Sequence, residues 1–287
     1  MKKRTKIVLC CVLTFAVVAA ILVYQMFRNP LTVVQYTIQT DFSESIRMVH
    51  LTDLHSWSYG EDNIELVNLV SEQEPDLILM TGDMMDKTDE NPDVACSLIR
   101  QLKDTAPVYF SYGNHESAWM HRTGIDLRPI LTEAGATVLD IEYLDLEIKG
   151  QEVRLGGYYN YYRQPHMLTH VQEEIQLEHK FADNFENTDR YQIFLNHIPT
   201  TWLDWNYINK HPVDLVLSGH YHGGQVRIPF VGGLIAPYVG WFPPYTEGMY
   251  VGEKATCILS TGLGARPNIP RFNNPPQVVV VDLLSEK

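Results

Sequence analysis

The chain has 287 residues and a formal net charge of −13, with 35 acidic side chains against 22 lysines and arginines. Residues 1–30 contain five basic and no acidic side chains, which leaves 17 basic and 35 acidic groups, or −18, on the rest of the chain. This acidic balance excludes the basic footprint that a nucleic-acid-binding protein needs.

An uncharged apolar stretch follows the basic N-terminal tip. It runs from Ile7 to Phe27, which is long enough for one helical span of a bilayer. The stretch is longer than the apolar region of a secretory signal peptide, and no clear cleavage site follows it. The basic cluster precedes the stretch, so the positive-inside rule places the N-terminus in the cytoplasm and the remainder outside. We therefore predict that residues 1–30 are a transmembrane signal-anchor in the cell membrane; a cleaved signal peptide is the alternative.

Residues 31–287 fit one large domain with a sizeable core. No linker, charge run or internal repeat divides this segment. It contains only Cys96 and Cys257, which lie in apolar patterns. We expect two buried free thiols, because this number and spacing do not support a disulfide framework.

Apolar runs and apolar periodicity predict the regular elements. Asn91-Pro92 predicts a helix start, with the asparagine as N-cap and the proline in the first helical position. In chain order we predict strands at 31–39, 45–51, 75–80, 107–110, 191–195 and 213–217, β-rich sequence over 137–158, and helices at 64–73, from 91, at 125–133 and at 168–186. Alternation of strands and helices followed by further strands suggests stacked sheets with helices outside.

Residue types that bind metals follow five of these strands. They are Asp53 and His55, Asp83, Asn114 and His115, His197, and His220 and His222. Ligands of open α/β sheets bind at the carboxyl ends of the strands, and residues two apart in extended chain point the same way.

This mixture of carboxylate, amide oxygen and imidazole favours Mn, Fe, Zn or Co. There are too many candidate ligands for one tetrahedral ion, so two ions about 3.5–4 Å apart and bridged by a carboxylate fit better. We take Asp83 as the bridge, and a plain strand-end turn at Gly82-Asp83 as the alternative.

The five motifs in this order resemble those of the calcineurin-like metallophosphoesterases. They are Asp53-Leu54-His55, Gly82-Asp83-Met84-Met85-Asp86, Gly113-Asn114-His115-Glu116, Asn196-His197 and Gly219-His220-Tyr221-His222. Thr52 stands where serine is more usual. The tail from Gly262-Leu263-Gly264 to Arg271–Pro276 is similar to that of the membrane-anchored bacterial branch, whose relatives include phosphodiesterases and hydrolases of the UDP-2,3-diacylglucosamine type.

The resemblance implies a four-layer α/β/β/α sandwich, here preceded by the predicted transmembrane helix, with two divalent metal ions. Their implied ligands are Asp53, His55 and His222 for the first ion, Asn114, His197 and His220 for the second, and Asp83 for both. A metal-bridging hydroxide would be the nucleophile. His115 would be the general acid for the leaving oxygen, and Asp86 would orient it. Capping a turn is the alternative role for Asp86. For Glu116, a role in orienting the loop is one possibility.

The expected function is dinuclear-metal-dependent hydrolysis of a phosphoric ester or anhydride at the cell envelope. The expected protein is a membrane-bound monomer with its catalytic domain outside the cytoplasm and a lipid-linked or wall-linked substrate. A phosphomonoesterase, a nucleotide-sugar lipid pyrophosphate hydrolase and a catalytically silent membrane scaffold are the alternatives. The complete ligand set disfavours the scaffold, and the outside topology disfavours a cytoplasmic nucleotide-lipid substrate.

Three aromatic clusters have two possible roles. They are Trp57 with Tyr59, the tyrosines of Tyr158–Tyr162, and Trp241–Tyr245. Core packing is one role. An exposed apolar rim that suits a lipid or a membrane-surface substrate is the other.

Overall fold

The computed structural model describes residues 3–27, 29–158, 172–264 and 269–285. The helices are α1 (Lys3–Phe27), α2 (Ile64–Ser71), α3 (Asp93–Leu102), α4 (Asn114–Thr123), α5 (Leu127–Ala134), α6 (Gln172–Glu186) and α7 (Thr200–Leu203). The strands are β1 (Thr32–Thr40), β2 (Ile46–Leu51), β3 (Leu77–Met80), β4 (Val108–Ser111), β5 (Ala136–Leu139), β6 (Glu142–Ile148), β7 (Gln151–Gly157), β8 (Tyr191–Leu195), β9 (Leu215–Ser218), β10 (Arg227–Ile228), β11 (Gly232–Gly233), β12 (Ile235–Ala236), β13 (Gly240–Trp241), β14 (Gly248–Val251), β15 (Thr256–Leu259) and β16 (Gln277–Ser285).

Two six-stranded sheets form the body of the fold. Sheet 1 has the order β1-β16-β2-β3-β4-β5, and sheet 2 has the order β14-β15-β9-β8-β7-β6. Strands β2 to β5 run parallel in sheet 1, and β7, β8, β9 and β15 run parallel in sheet 2. The parallel strands of each sheet therefore present their carboxyl ends at one edge.

Alternation along the buried strands separates the core into layers. Met48 of β2 and Leu79 of β3 pack between the two sheets, in a cluster that also contains residues of β8, β9 and β15. Their sequence neighbours Val49 and Ile78 face the helices α2 to α5 on the other side of sheet 1. Phe194 of β8 likewise packs with α6 and α7 outside sheet 2. Because successive strand side chains point to opposite faces, these runs produce the predicted α/β/β/α layering.

The N-terminal helix differs from the predicted transmembrane anchor. Helix α1 covers the apolar stretch, but in the described part of the chain no helix is both long and apolar enough to cross a membrane. The predicted transmembrane signal-anchor is therefore not supported. Residues 1–2 and 28 of that prediction lie outside the described residues.

Most predicted elements are present within a few residues of their expected bounds. Helix α3 begins at Asp93, one residue later than expected. The Asn91 side chain accepts a hydrogen bond from the backbone N–H of Asp93. The thiols of Cys96 and Cys257 are buried and free, as predicted. Residues 168–171 of the helix predicted at 168–186 lie outside the described residues.

Helix α4 was not predicted from the sequence. It begins at Asn114, inside a motif that the apolar pattern places at a strand end. Its sequence is polar, and only Glu116 and Trp119 are buried, so the apolar periodicity that indicates a helix is missing.

An ion pair ties the first three strands of sheet 1 together. Asp282 of β16 accepts hydrogen bonds from Arg47 of β2, with Nε at 2.8 Å and Nη2 at 3.2 Å, and from Gln35 of β1. Burial favours the neutral carboxyl, but the hydrogen bonds from Arg47 and Gln35 outweigh it and lower the pKa of Asp282. A folded-state pKa below the unfolded one stabilises the fold above the unfolded pKa, and the effect is lost as the pH falls through the folded pKa.

We predict that Asp282→Asn lowers the free energy of unfolding by about 1 kcal/mol at pH 7, since the Arg47 side chain is partly solvated. The loss should shrink below about pH 4, where the wild-type carboxyl begins to take up a proton. Urea unfolding of both proteins at pH 7 and at pH 3.5 measures this, with exposed Asp104→Asn as the control. An equal loss at both pH values would contradict the assignment.

Candidate metal centre and active site

The strand ends of both sheets meet at one place. Asp53 follows β2, Asp83 follows β3, and His197 and His220 follow β8 and β9 of the other sheet. The backbone N–H of His220 donates to the Asp53 carboxylate at 2.9 Å, which joins the two sheets directly. Residues that are far apart in sequence thus form one site at the carboxyl edge, as the predicted topology requires.

The first cluster consists of Asp53, His55 and His222. Nε2 of His222 lies 3.4 Å from Oδ1 of Asp53 and 3.2 Å from Nε2 of His55. Nε2 of His55 lies 3.9 Å from the same carboxylate oxygen. Three potential ligand atoms therefore converge on one point.

The second cluster consists of Asp83, His197 and His220. Nε2 of His197 lies 3.1 Å from Oδ2 of Asp83 and 3.1 Å from Nδ1 of His220. Nδ1 of His197 is 2.8 Å from the carbonyl oxygen of Thr81, to which it donates its proton. In the neutral ring, this hydrogen bond keeps the proton on Nδ1 and leaves the lone pair of Nε2 for a ligand bond toward the cluster.

Asp83 lies between the two clusters. Its Oδ2 faces His197 of the second cluster and lies 3.8 Å from Nε2 of His55 in the first. Its Oδ1 accepts a hydrogen bond of 2.8 Å from the backbone N–H of His115. A carboxylate in this position can contact two cations at once.

Asn114 lies in the backbone beside this carboxylate. It lies between Gly113, whose backbone abuts the Asp83 side chain, and His115, whose N–H binds it. Among the described residues, Oδ1 of Asn114 is buried and accepts no hydrogen bond. A buried acceptor without a donor costs about 1–3 kcal/mol, so this atom suits a ligand.

The charges of the two clusters indicate cations. Burial raises the pKa of Asp53 and lowers the pKa of His55 to about 4. Burial also opposes both charges of the His197–Asp83 pair, yet their attraction raises the pKa of His197 to about 9 and holds that of Asp83 well below its usual range. Buried carboxylates need positive partners, and divalent metal ions would supply that charge. The clusters therefore fit a dinuclear divalent metal site.

His115 and Asp86 form a pair at the rim of this site. Nδ1 of His115 lies 3.3 Å from Oδ2 of Asp86, and its Nε2 points inward, 3.9 Å from Oδ2 of Asp83. The N–H and hydroxyl of Thr88 both bind the other oxygen of Asp86, at 2.9 and 2.6 Å. Burial favours the neutral carboxyl, but these bonds outweigh it and lower the pKa of Asp86. Asp86 thus caps a turn and faces His115 at the same time.

Glu116 holds the loops that contain Asp83 and Asn114. Its buried carboxylate accepts hydrogen bonds of 2.8 Å from the backbone N–H groups of Gly113, Asp83 and Met84. Burial and the charge of Asp83 raise the pKa of Glu116 to about 7. This geometry fits a role for Glu116 in orienting the loops.

The backbone at the site is strained. Asp53, His55, Asp83, His220 and His222 all have φ between +48° and +69°, a region that costs non-glycine residues of order 1–3 kcal/mol each. Such conformations cluster at functional sites, where the surrounding structure enforces them.

A glycine permits close approach of two strand ends. A Cβ on Gly82, which has φ +85°, would lie 2.0 Å from the backbone nitrogen of Gly113. The loops after β3 and β4 therefore touch through their backbones, which brings Asp83 and Asn114 together.

Supporting residues outside the ligand motifs were not assigned from the sequence. The Thr52 hydroxyl donates to Asp53 at 2.9 Å. The Asn274 amide donates to the carbonyl oxygen of His222 at 2.7 Å. The buried guanidinium of Arg271 donates to carbonyl oxygens of Thr261 and Gly264, in the loop that packs behind Asp53. The only sequence signal for the last two was the resemblance of the tail to relatives.

The remaining histidines and aromatic residues have mixed surroundings. Burial lowers the pKa of His50 to about 3, and its Nε2 lies 2.7 Å from the hydroxyl of Thr81. Tyr158 is buried against Glu178, whereas Trp57 is exposed. The predicted aromatic residues Tyr159, Tyr161 and Tyr162, with His166 and His170, lie outside the described residues.

Known proteins are similar to this chain. The family described as calcineurin-like phosphoesterases matches residues 46–224. The uncharacterized metallophosphoesterase YkuE of Bacillus subtilis is 30% identical over 84% of this chain and 80% of its own length. YkoQ of the same organism, also an uncharacterized metallophosphoesterase, is 27% identical over 89% and 92%. Phosphodiesterase YaeI of Escherichia coli is 24% identical over 85% and 84%. The chain belongs to the calcineurin-like metallophosphoesterases and is a phosphoric ester hydrolase.

Proposed function

We propose that this enzyme hydrolyses phosphodiesters in a dinuclear metal centre and uses His115 to protonate the leaving oxygen. The observation that supports this most strongly is the position of Asp83 between two clusters of ligands, with His115 beside it. The proposed ligands are Asp53, His55 and His222 for one ion, Asn114, His197 and His220 for the other, and Asp83 for both.

When bound, two such cations lower the pKa of a water molecule and neutralise charge on a phosphate. The side chains of the protein position the site and supply the proton donor. Asp53 and Asp83 fix the positions of the histidines, and Glu116 keeps the loops around Asp83 and Asn114 in place. His115 stands at the rim, where its inward Nε2 can hold a proton for a departing alkoxide.

Asp86 orients this proton donor. Its Oδ2 faces Nδ1 of His115, and Thr88 fixes the carboxylate through its other oxygen. The backbone N–H of Lys87 also lies 3.1 Å from Nδ1. These contacts hold the ring so that Nε2 faces the site.

A diester is the preferred substrate class because of charge. A phosphodiester has one negative charge, whereas a monoester has up to two, and the chain is strongly acidic. The name of the relative YaeI, a phosphodiesterase, agrees with this choice. The location outside the cytoplasm and a lipid-linked or wall-linked substrate remain predictions from the sequence, as does the monomeric state.

Metal dependence tests the proposal first. We expect full-length protein stripped of metal to lose hydrolysis of bis-p-nitrophenyl phosphate and to regain it with Mn, Zn, Fe or Co. Asp83→Asn should lower kcat/KM at least about 100-fold, because the variant weakens both metal positions. Asp93→Asn, at an exposed carboxylate at the start of α3, is the matched control. Equal activity of Asp83→Asn and wild type would contradict the proposal, and faster cleavage of p-nitrophenyl phosphate would favour a monoesterase.

The leaving group tests the role of His115. p-Nitrophenolate departs without a proton, whereas phenolate is a much poorer leaving group. We expect His115→Ala to lower kcat/KM about 100-fold or more for diphenyl phosphate and much less for bis-p-nitrophenyl phosphate. Asp86→Asn should follow the same pattern with a smaller loss. His121→Ala, at an exposed position of α4, serves as the control. Equal losses on both esters would show that His115 does not donate the proton.

A further inference from the structure

The segment after the last ligand pair forms two short hairpins of unusual composition. β10 pairs with β11, and β12 pairs with β13. Residues 228–244 contain no charged side chain, although the whole chain has a net charge of −13. We call Tyr238, Trp241 and Phe242 of this segment the aromatic rim.

The aromatic rim is exposed. Tyr238 is 76%, Trp241 67% and Phe242 58% accessible to solvent, whereas Ala236 on the same hairpin is 3% accessible. Core packing therefore does not account for these three side chains. Tyr238 and Phe242 also have φ of +62° and +54°, which is a rare conformation for bulky residues and a common one at functional sites.

The aromatic rim adjoins the metal centre. The ring of Tyr238 stacks on the ring of His220, with centroids 5.2 Å apart and planes inclined by 19°. Ile235 and Pro237 of the same hairpin line a small crevice together with His222. An apolar surface thus begins at a proposed metal ligand and extends outward.

Backbone hydrogen bonds fix the hairpins to the ligand loop. Leu234 N–H donates to the carbonyl oxygens of Gly224 and Val226, at 3.1 and 2.8 Å. Phe242 N–H donates to the carbonyl oxygen of Leu234 at 2.9 Å. Gly224 is the second residue after His222, so the position of the rim relative to the centre is set by the backbone.

We infer that the aromatic rim binds an apolar group esterified to the phosphate, so that the enzyme prefers phosphodiesters of long-chain or otherwise apolar alcohols. This inference rests on the proposed phosphodiesterase function and adds the substrate class to it. The continuity of the rim with His220 places such a group next to the phosphate. Burial of alkyl carbons against aromatic side chains also contributes binding free energy. This contribution needs no positive side chains, which suits an acidic protein.

Alkyl p-nitrophenyl phosphates test the inference, because the leaving group stays constant while the alkyl chain varies. We expect kcat/KM of wild type to rise about ten-fold or more from the methyl to the octyl ester, below the micelle concentration. Trp241→Ser combined with Phe242→Ser should reduce this octyl-to-methyl ratio to near one. Val251→Ser is the matched control. Val251 is an exposed apolar residue of β14. It pairs with Thr256 at the start of β15, and the site lies at the other end of β15. Val251→Ser should keep the wild-type ratio.

Binding separates failure of this inference from failure of the proposed function. We would titrate octyl phosphate and methyl phosphate into the metal-loaded proteins by calorimetry, which requires no turnover. The inference is supported if wild type and Val251→Ser bind octyl phosphate more tightly than methyl phosphate and the rim variant does not. This result supports it even where no ester is cleaved. Equal binding of the two phosphates by wild type, or a preference retained in the rim variant, overturns it. Absence of turnover with every metal overturns only the phosphodiesterase proposal.

Discussion

The structure depends on the burial of two carboxylates, Asp53 and Asp83, among histidines at the meeting point of two sheets. Buried negative charges are unstable without positive partners. The side chains beside them are imidazoles, whose nitrogen atoms are good ligands for divalent metals. The arrangement is therefore suited to bound cations. Folding thus prepares a site that fits two divalent metal ions.

The rest of the fold serves to hold this arrangement. Parallel strands of both sheets bring their carboxyl ends together, and Gly82 lets two of the loops touch. Glu116 binds three backbone N–H groups of these loops, so it supports the site without facing a substrate. The strained conformations of the candidate ligand residues persist because many neighbouring contacts enforce them.

The sequence predicted the strands, the layers and the grouping of the candidate ligands, because each ligand follows an apolar run and belongs to an ordered set of motifs. It did not predict helix α4, since that helix buries only Glu116 and Trp119 and lacks apolar periodicity. It also did not predict the stacking of Tyr238 on His220, which depends on turns of two-residue strands that carry no pattern. The length and lack of charge of residues 7–27 predicted a transmembrane anchor that the described helix does not support.

The number of metal ions bound by the full-length protein tests the central claim most directly. We would dialyse wild type and Asp83→Asn against Mn and measure bound metal per chain by mass spectrometry of the elements. The bridging position of Asp83 predicts two ions per wild-type chain and one or none in the variant. A single ion in wild type, or two ions retained without the Asp83 carboxylate, would contradict a centre built around this residue.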